Sequence, residues 1–384
     1  MELFLLVFSV SIILFLAPMI SALFNVSVVV VEIFLGMLGG YFGLIYHDLT
    51  FVQLAKFGFL YLMFLAGHEI NLKLVEHIKK TLALQVVLYF AMLYGVAAFF
   101  CVLFGLGVVY FVALPIFSLG MLMMLIKEYG KDEEWLNLAL SIGVVGEVVS
   151  ILVLTIFSGW LTYGFGLEFY TAILSIMVIV ALGVLFLRIF QILFWWYPDF
   201  KKYIIPDSDQ YDQDIRFTLA LFFIMTALMA YLKIDAVLGA FVAGLFLKMF
   251  FHHHYGLTKK LEAFGFGLFA PIFFIYVGST IDLDVVNSAI ITHAFFIILL
   301  MVLIRLISSF VAFYKYLKFK PTILFALSDS MPLTFMVALA MIAYKAELIT
   351  HDIYIAFVLA SMIDGLILMI LIRKLYTYFK QQGG

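Results

Sequence analysis

Glu147, Arg305, Asp329 and Asp364 are ionisable side chains set inside long apolar runs. Ser118 and Thr334 are hydroxyls placed just after two prolines, Pro115 and Pro332. Glu147 stands in SIGVVGEVVSIL (141–152), with no charged neighbour in its own run. A charge at a bilayer centre costs about 2.5–3.5 kcal/mol on insertion scales, so such residues face protein interior or a cavity. The chemistry open to them is ion exchange. Desolvation favours the neutral acid and a nearby cation favours the carboxylate. An acid held between the two can release a proton and take a metal ion in its place. Hard cations prefer oxygen, so Ser118 and carbonyls freed near the prolines are candidate neutral ligands, with Asp329 as a second carboxylate. Arg305 cannot deprotonate and repels any cation; its expected role is to balance charge. Asp329 serves equally as a ligand or as support for a helix break, since Asp satisfies local backbone groups. Asp364 reads as a structural partner. The competing account of Glu147 and Arg305 is a structural pair that locks helix packing.

These side chains need elements that carry them into a membrane. The chain has 384 residues, 66% of them hydrophobic and 12% charged. A soluble domain is roughly half apolar and a quarter charged, so the composition implies an all-α polytopic membrane protein. With a net charge of −2, nothing suggests nucleic acid as a partner. Apolar runs punctuated by charge, Gly or Pro fall at about 3–24, 26–46, 52–71, 82–106, 108–127, 134–158, 168–196, 214–232, 235–250, 262–283, 288–314, 321–344 and 352–372. The first run is too long for a signal-peptide core and lacks a basic flank, so it reads as a retained span. Placing the N-terminus outside puts most of the 22 Lys and Arg residues in cytoplasmic loops. Only Lys56, Lys233 and Lys345 are then outside. This positive-inside asymmetry supports about thirteen transmembrane helices, N-out and C-in. The chain is expected to form a single transmembrane domain over 1–384 with no soluble regulatory domain.

Two spans carry a proline near mid-depth beside small polar residues: FVALPIFSLGMLMML, with Pro115 and Ser118, and ILFALSDSMPLTFMVALAMI, with Ser328, Asp329, Ser330, Pro332 and Thr334. Proline removes a backbone donor and clashes with the preceding turn. In lipid such breaks persist where they line buried or wet space. The two spans are the fifth and the twelfth, so they run in opposite directions. That pattern predicts an inverted repeat, spans 1–6 matching 8–13 with span 7 linking them, and two crossed broken helices. At about 1.5 Å per residue, Ser118, Glu147, Arg305, Asp329 and Asp364 all lie roughly 13–20 Å from the inner ends of their spans. The hydrocarbon core is about 30 Å thick, so they share the midplane.

Other features carry less. GMLGGYFG, with Gly36, Gly39, Gly40 and Gly43, reads as small-residue helix packing. His252–His254 reads as a solvated loop tract. His68–Glu69 lacks the second His of a zinc protease motif, since residue 72 is Leu72. No Walker loop or nucleophile–base set appears, so no enzyme activity and no cofactor are expected. One cysteine, Cys101, excludes an internal disulfide.

Several stretches resemble a known family: VVVVEIFLGMLGGYFGL, FGFLYLMFLAGHEINLKLV, IDAVLGAFVAGLFL, FGFGLFAPIFFIYVGSTIDL and SIGVVGEVVSIL. They are similar to segments of the monovalent cation:proton antiporters of the second type, the group that includes Kef-type potassium efflux proteins. The resemblance covers nearly the whole chain. It implies a sodium/proton antiporter-like fold and a homodimer with core and dimerisation domains working by elevator-like alternating access. It also implies Glu147 as the acid that alternately binds proton and cation, with Arg305 at a basic position found in related exchangers. Two departures stand out. The family commonly has Asn-Asp, Asp-Asp or Gln-Asp where this chain has Gly146–Glu147, and often a Gly–Glu pair where this chain has Leu333–Thr334 before Phe335.

The expected activity is therefore Na⁺ or K⁺ exchanged for H⁺, competing at Glu147, one for one unless Asp329 adds a second carboxylate. Pro115, Pro332, Thr334 and Asp364 support the broken helices. The expected setting is the cell membrane of a prokaryote, with room for a separate regulatory subunit. The rivals are a gated potassium channel on the same scaffold and a non-transporting sensor or assembly subunit.

Overall fold

In a computed structural model, the described residues are 2–24, 26–69, 80–129, 133–164, 212–231, 236–250 and 255–381, with scattered positions between 166 and 196. The span expected at about 168–196 and the His252–His254 tract lie almost wholly outside them. No strand occurs among the described residues. Among the described residues, eight helices are long and apolar enough to cross a membrane, or nine if a pair of short helices bent by 45° is taken as one span. The chain divides into two compact units: 1–19, 32–70 and 155–280 in one, and 20–31, 71–154 and 281–384 in the other.

The first unit holds most of α1 (Glu2–Phe24) and α2 (Val28–Tyr41), with α3 (Leu49–Glu69). The second holds α4 (Lys80–Phe104), α5 (Val108–Ala113), α6 (Leu119–Tyr129) and all but the end of α7 (Glu134–Tyr163). The first unit continues with α8 (Gln213–Tyr231), α9 (Ala236–Phe250), α10 (Tyr255–Phe264), a π-helical turn at Gly265–Phe269 and α11 (Ala270–Ser279). The second is completed by α12 (Ser288–Leu317), α13 (Phe319–Ser328), α14 (Leu333–Lys345) and α15 (His351–Gln381).

In the first unit α3 packs against α9 and α11. Glycines set the closeness of approach. A Cβ on Gly67 would strike the Phe241 carbonyl, and one on Gly244 would strike the Phe64 carbonyl. Lipid is as apolar as Leu, so helices gain by bringing backbones together at small residues. Gly36 and Gly40 of GMLGGYFG serve α2 in the same way, lying against the backbone of Ile275 and Ser279 on α11.

In the second unit α12 is the axle, packed against α4, α13 and α15. Asn287 starts it by accepting a hydrogen bond from the Ile290 amide at 3.0 Å. Lys318, at φ 65°, turns the chain sharply into α13. Between α5 and α6, residues 114–118 leave helical geometry around Pro115. Between α13 and α14 the helix stops at Asp329 and restarts after Pro332. Each proline lacks the amide that would continue the ladder, so both expected breaks fall where the sequence places them. α14 touches α5 and α6, and α13 touches α6, so the two broken spans meet at their interruptions.

Candidate functional site at the two helix breaks

The breaks leave backbone carbonyls without helical partners, and Arg305 collects them. This side chain projects from the middle of α12 and is fully buried. Its Nε donates to the Asp329 carbonyl at 2.8 Å. One terminal nitrogen donates to the Leu114 carbonyl at 2.6 Å, and the other to the Ile116 carbonyl. A longer bond at 3.4 Å reaches Met301 one turn back. A guanidinium presents its donors as a rigid planar fork, and here the fork joins the ends of α5 and α13. Those ends carry the partial negative charge of a helix C-terminus, which a fixed cation offsets. The guanidinium also stands over the Phe117 ring, 5.3 Å from its centre.

This geometry corrects two expectations. Arg305 directs its hydrogen bonds to backbone carbonyls, and no ion pair joins it to a carboxylate among the described residues. A Glu147–Arg305 lock is therefore not how this charge is met. The carbonyls of Leu114, Ile116 and Asp329 are also engaged with a cation, so they are poor ligands for a second one.

Glu147 lies on α7 and is buried, 3% exposed. The turn that carries it is tied to the first break. Ser150 accepts a hydrogen bond from the Phe117 amide at 2.8 Å and donates to the Gly146 carbonyl at 2.7 Å. Gly146 is next to the Phe117 ring, and a Cβ there would come within 2.5 Å of it. The missing side chain before the acid is thus a steric consequence: an aromatic ring fills the space that a ligand-bearing residue would use.

Ser118 and Thr334 meet across the crossing, their hydroxyls 2.7 Å apart. Asp329 caps α13, with Oδ2 accepting from the Tyr89 hydroxyl at 3.4 Å and Oδ1 buried without a hydrogen bond. Ser328 and Ser330 turn back onto the carbonyls of Phe325 and Ala326 of their own helix. Asp364 of α15 is fully buried, and neither of its carboxyl oxygens has a hydrogen-bond partner. It makes no hydrogen bond to either broken helix among the described residues, while its helix packs against α13 and α14, the two halves of the second one. Ser118, Arg305, Asp329 and Thr334 are thus gathered at the breaks with Pro115 and Pro332, and Ser150 links the Glu147 turn to them.

Tyr89, Phe117 and Ser150 escaped sequence reasoning. Ser150 lies one helical turn after Gly146, a spacing that places a hydroxyl on the preceding carbonyl. Tyr89 and Phe117 stand among many aromatics, and nothing local distinguishes them.

Comparison with known proteins fits this architecture. The transmembrane sodium/hydrogen exchanger family matches residues 11–374. A probable Na⁺/H⁺ antiporter of Methanocaldococcus jannaschii is 26% identical over 95% of this chain and 94% of its own length. A putative Na⁺/H⁺ antiporter of Bacillus subtilis is 26% identical over 97% of this chain and 63% of its own. A Na⁺/H⁺ antiporter of Enterococcus hirae is 24% identical over 93% of this chain and 95% of its own. The solved sodium proton antiporter MjNhaP1 of Methanocaldococcus jannaschii shares the fold, with a TM-score of 0.66 at 15% identity over 97% of this chain and 96% of that one. The narrower Kef-type resemblance of the motifs is not carried by these relatives, all named as sodium/proton antiporters. An all-helical, multi-pass architecture and a match over nearly the whole length together place this chain in the sodium/hydrogen exchanger family, whose members are transporters and not enzymes.

Proposed function

We propose that Glu147 is the acid at which Na⁺ and H⁺ compete, and that the chain exchanges them across the membrane. The observation that carries the reading is the Ser150 bridge. It ties the Glu147 turn to the amide of Phe117 inside a helix break, so a change of occupant at the acid bears directly on the break. Ser118 is the hydroxyl in that break, bonded to Thr334 of the facing one, where Asp329 is the carboxylate. Arg305 neutralises the helix ends and keeps the cation on the Glu147 side by repulsion. At Glu147 alone the exchange is one proton for one cation. The names of the relatives favour Na⁺ over K⁺. The remaining expectations go with this reading: a homodimer in a prokaryotic cell membrane, N-terminus out and C-terminus in, with elevator-like access and a separate regulatory subunit as an optional partner.

The test is proton flux in proteoliposomes carrying a pH dye, with Na⁺ or K⁺ pulses, for wild type and Glu147→Gln. A sodium pulse should move protons in the wild type and not in the variant. Equal responses would move the acid to Asp329. Silence of both, under conditions where a related exchanger works, would sink antiport.

A further inference from the structure

Met121 and Gly365 meet at one end of a cavity of about 100 Å³ in the second unit, enclosed by α6, α15 and the link from α1 to α2. The α15 side is a single helix face: Gly365, Leu366, Met369, Ile370 and Arg373 follow one another at i, i+1, i+4, i+5 and i+8. Gly365 makes the room. A Cβ there would stand 3.1 Å from the terminal methyl of Met121, and any longer side chain would enter the space. Of the side chains that line the cavity, only Ser27 and Arg373 are polar.

That lining selects the occupant. A buried water needs several polar partners, and apolar cavities stay dry. An unfilled cavity in turn forfeits the dispersion contacts of its walls. A flexible aliphatic chain restores them and asks for no hydrogen bonds. The rim shows where such a chain enters: Phe24 and Ile370 line the cavity and are exposed, and exposed apolar surface on a membrane protein lies against lipid. Arg373 is eight residues from Gly365, about 12 Å along α15, just past the apolar run at about 352–372. At that level an Arg stem lies on apolar surface while the charged head reaches the interface. The guanidinium's forked donors match a phosphate and can serve one beside a protein partner.

We propose that this cavity is a binding site for an anionic phospholipid, with a stretch of its acyl chain along Leu366, Met369 and Met121 and its phosphate on Arg373. The bound chain fills the gap between α6 and α15, so the lipid is a fixed packing element of the second unit. The site stands apart from the exchange at Glu147 and does not depend on it.

A phosphatidylglycerol carrying a diazirine in one acyl chain, reconstituted with the whole protein, tests this. Met121 is buried, so a lipid chain reaches it only through the cavity. Irradiation should leave adducts at Met121 and Met369, located by peptide mass spectrometry, and Gly365→Phe, which fills the cavity, should lose them. Unlabelled phosphatidylglycerol should displace the probe about fivefold more effectively than phosphatidylcholine, the advantage that one Arg gives an anionic lipid. Arg373→Gln should erase that difference. No adduct at Met121 in the wild type would mean that the cavity is closed to lipid, and the site falls. Adducts that persist in Gly365→Phe overturn it as well. Equal displacement by the two lipids in the wild type overturns the anionic headgroup and the role of Arg373. If Gly365→Phe does not fold, Ile370→Trp at the exposed rim should reduce the Met121 adduct in its place, and an undiminished adduct counts against the assignment.

Discussion

Gly146 has no side chain because the Phe117 ring occupies the space beside it, and Phe117 is itself held over Arg305. Overpacking of such a contact costs about 1–3 kcal/mol. Gly146→Ala should therefore lower thermal stability in detergent, and adding Phe117→Ala should restore part of it. An unchanged melting temperature in Gly146→Ala would refute the contact. Arg305 is the second case. Replacing it by Met leaves three buried carbonyls unanswered, at about 1–3 kcal/mol each. Arg305→Met should fail to yield folded protein, whereas Arg305→Lys keeps the charge without the fork and should give a folded but less stable exchanger. Equal stability of Arg305→Lys and wild type would show that only the charge matters. The residue types at this site were legible in the sequence, because charges and prolines in apolar runs are rare. Their bonds were not. A charge-balancing role for Arg305 left its partners open, and they are carbonyls because two interrupted helices deliver their ends to it from distant parts of the chain.

At the scale of elements, the sequence showed where the helices break, since Pro115 and Pro332 act locally on their own backbone. It showed less of what holds the breaks together. The Ser118–Thr334 hydroxyl contact joins residues 216 positions apart, a separation that no local pattern encodes. Such a bond contributes about 0.5–1.5 kcal/mol. A double-mutant cycle with Ser118→Ala and Thr334→Ala, read by thermal unfolding, should show coupling of that order, and additive losses would mean that the two hydroxyls act separately. Of the packing glycines, those of GMLGGYFG were visible as a small-residue pattern, whereas Gly67 and Gly244 were not singled out. Only the structure pairs Gly67 with Phe241 and Gly244 with Phe64.

For the whole molecule, composition alone marked a membrane protein, and the helices agree. Large apolar side chains such as Phe4, Phe15, Leu23, Leu84 and Val102 stand exposed on long helices, surface that a soluble protein would cover. The orientation drawn from basic residues is open to a direct check, since Cys101 is the only cysteine in the chain. In a Cys101→Ser background, a cysteine placed after Gln381 should resist an impermeant thiol reagent added to intact cells, and one replacing Asp48 should react. The reverse pattern would invert the topology. One consequence belongs to biogenesis. The ribosome makes Leu114 and Ile116 long before Arg305, and Asp329 shortly after it. A nascent chain released between Leu317 and Ser328 would carry Arg305 into the membrane with one of its three inter-helical acceptors not yet synthesised. Completion of the span that ends in Asp329 is thus the event that seals the buried charge, and unfinished chains would keep a mark by which quality control can recognise them.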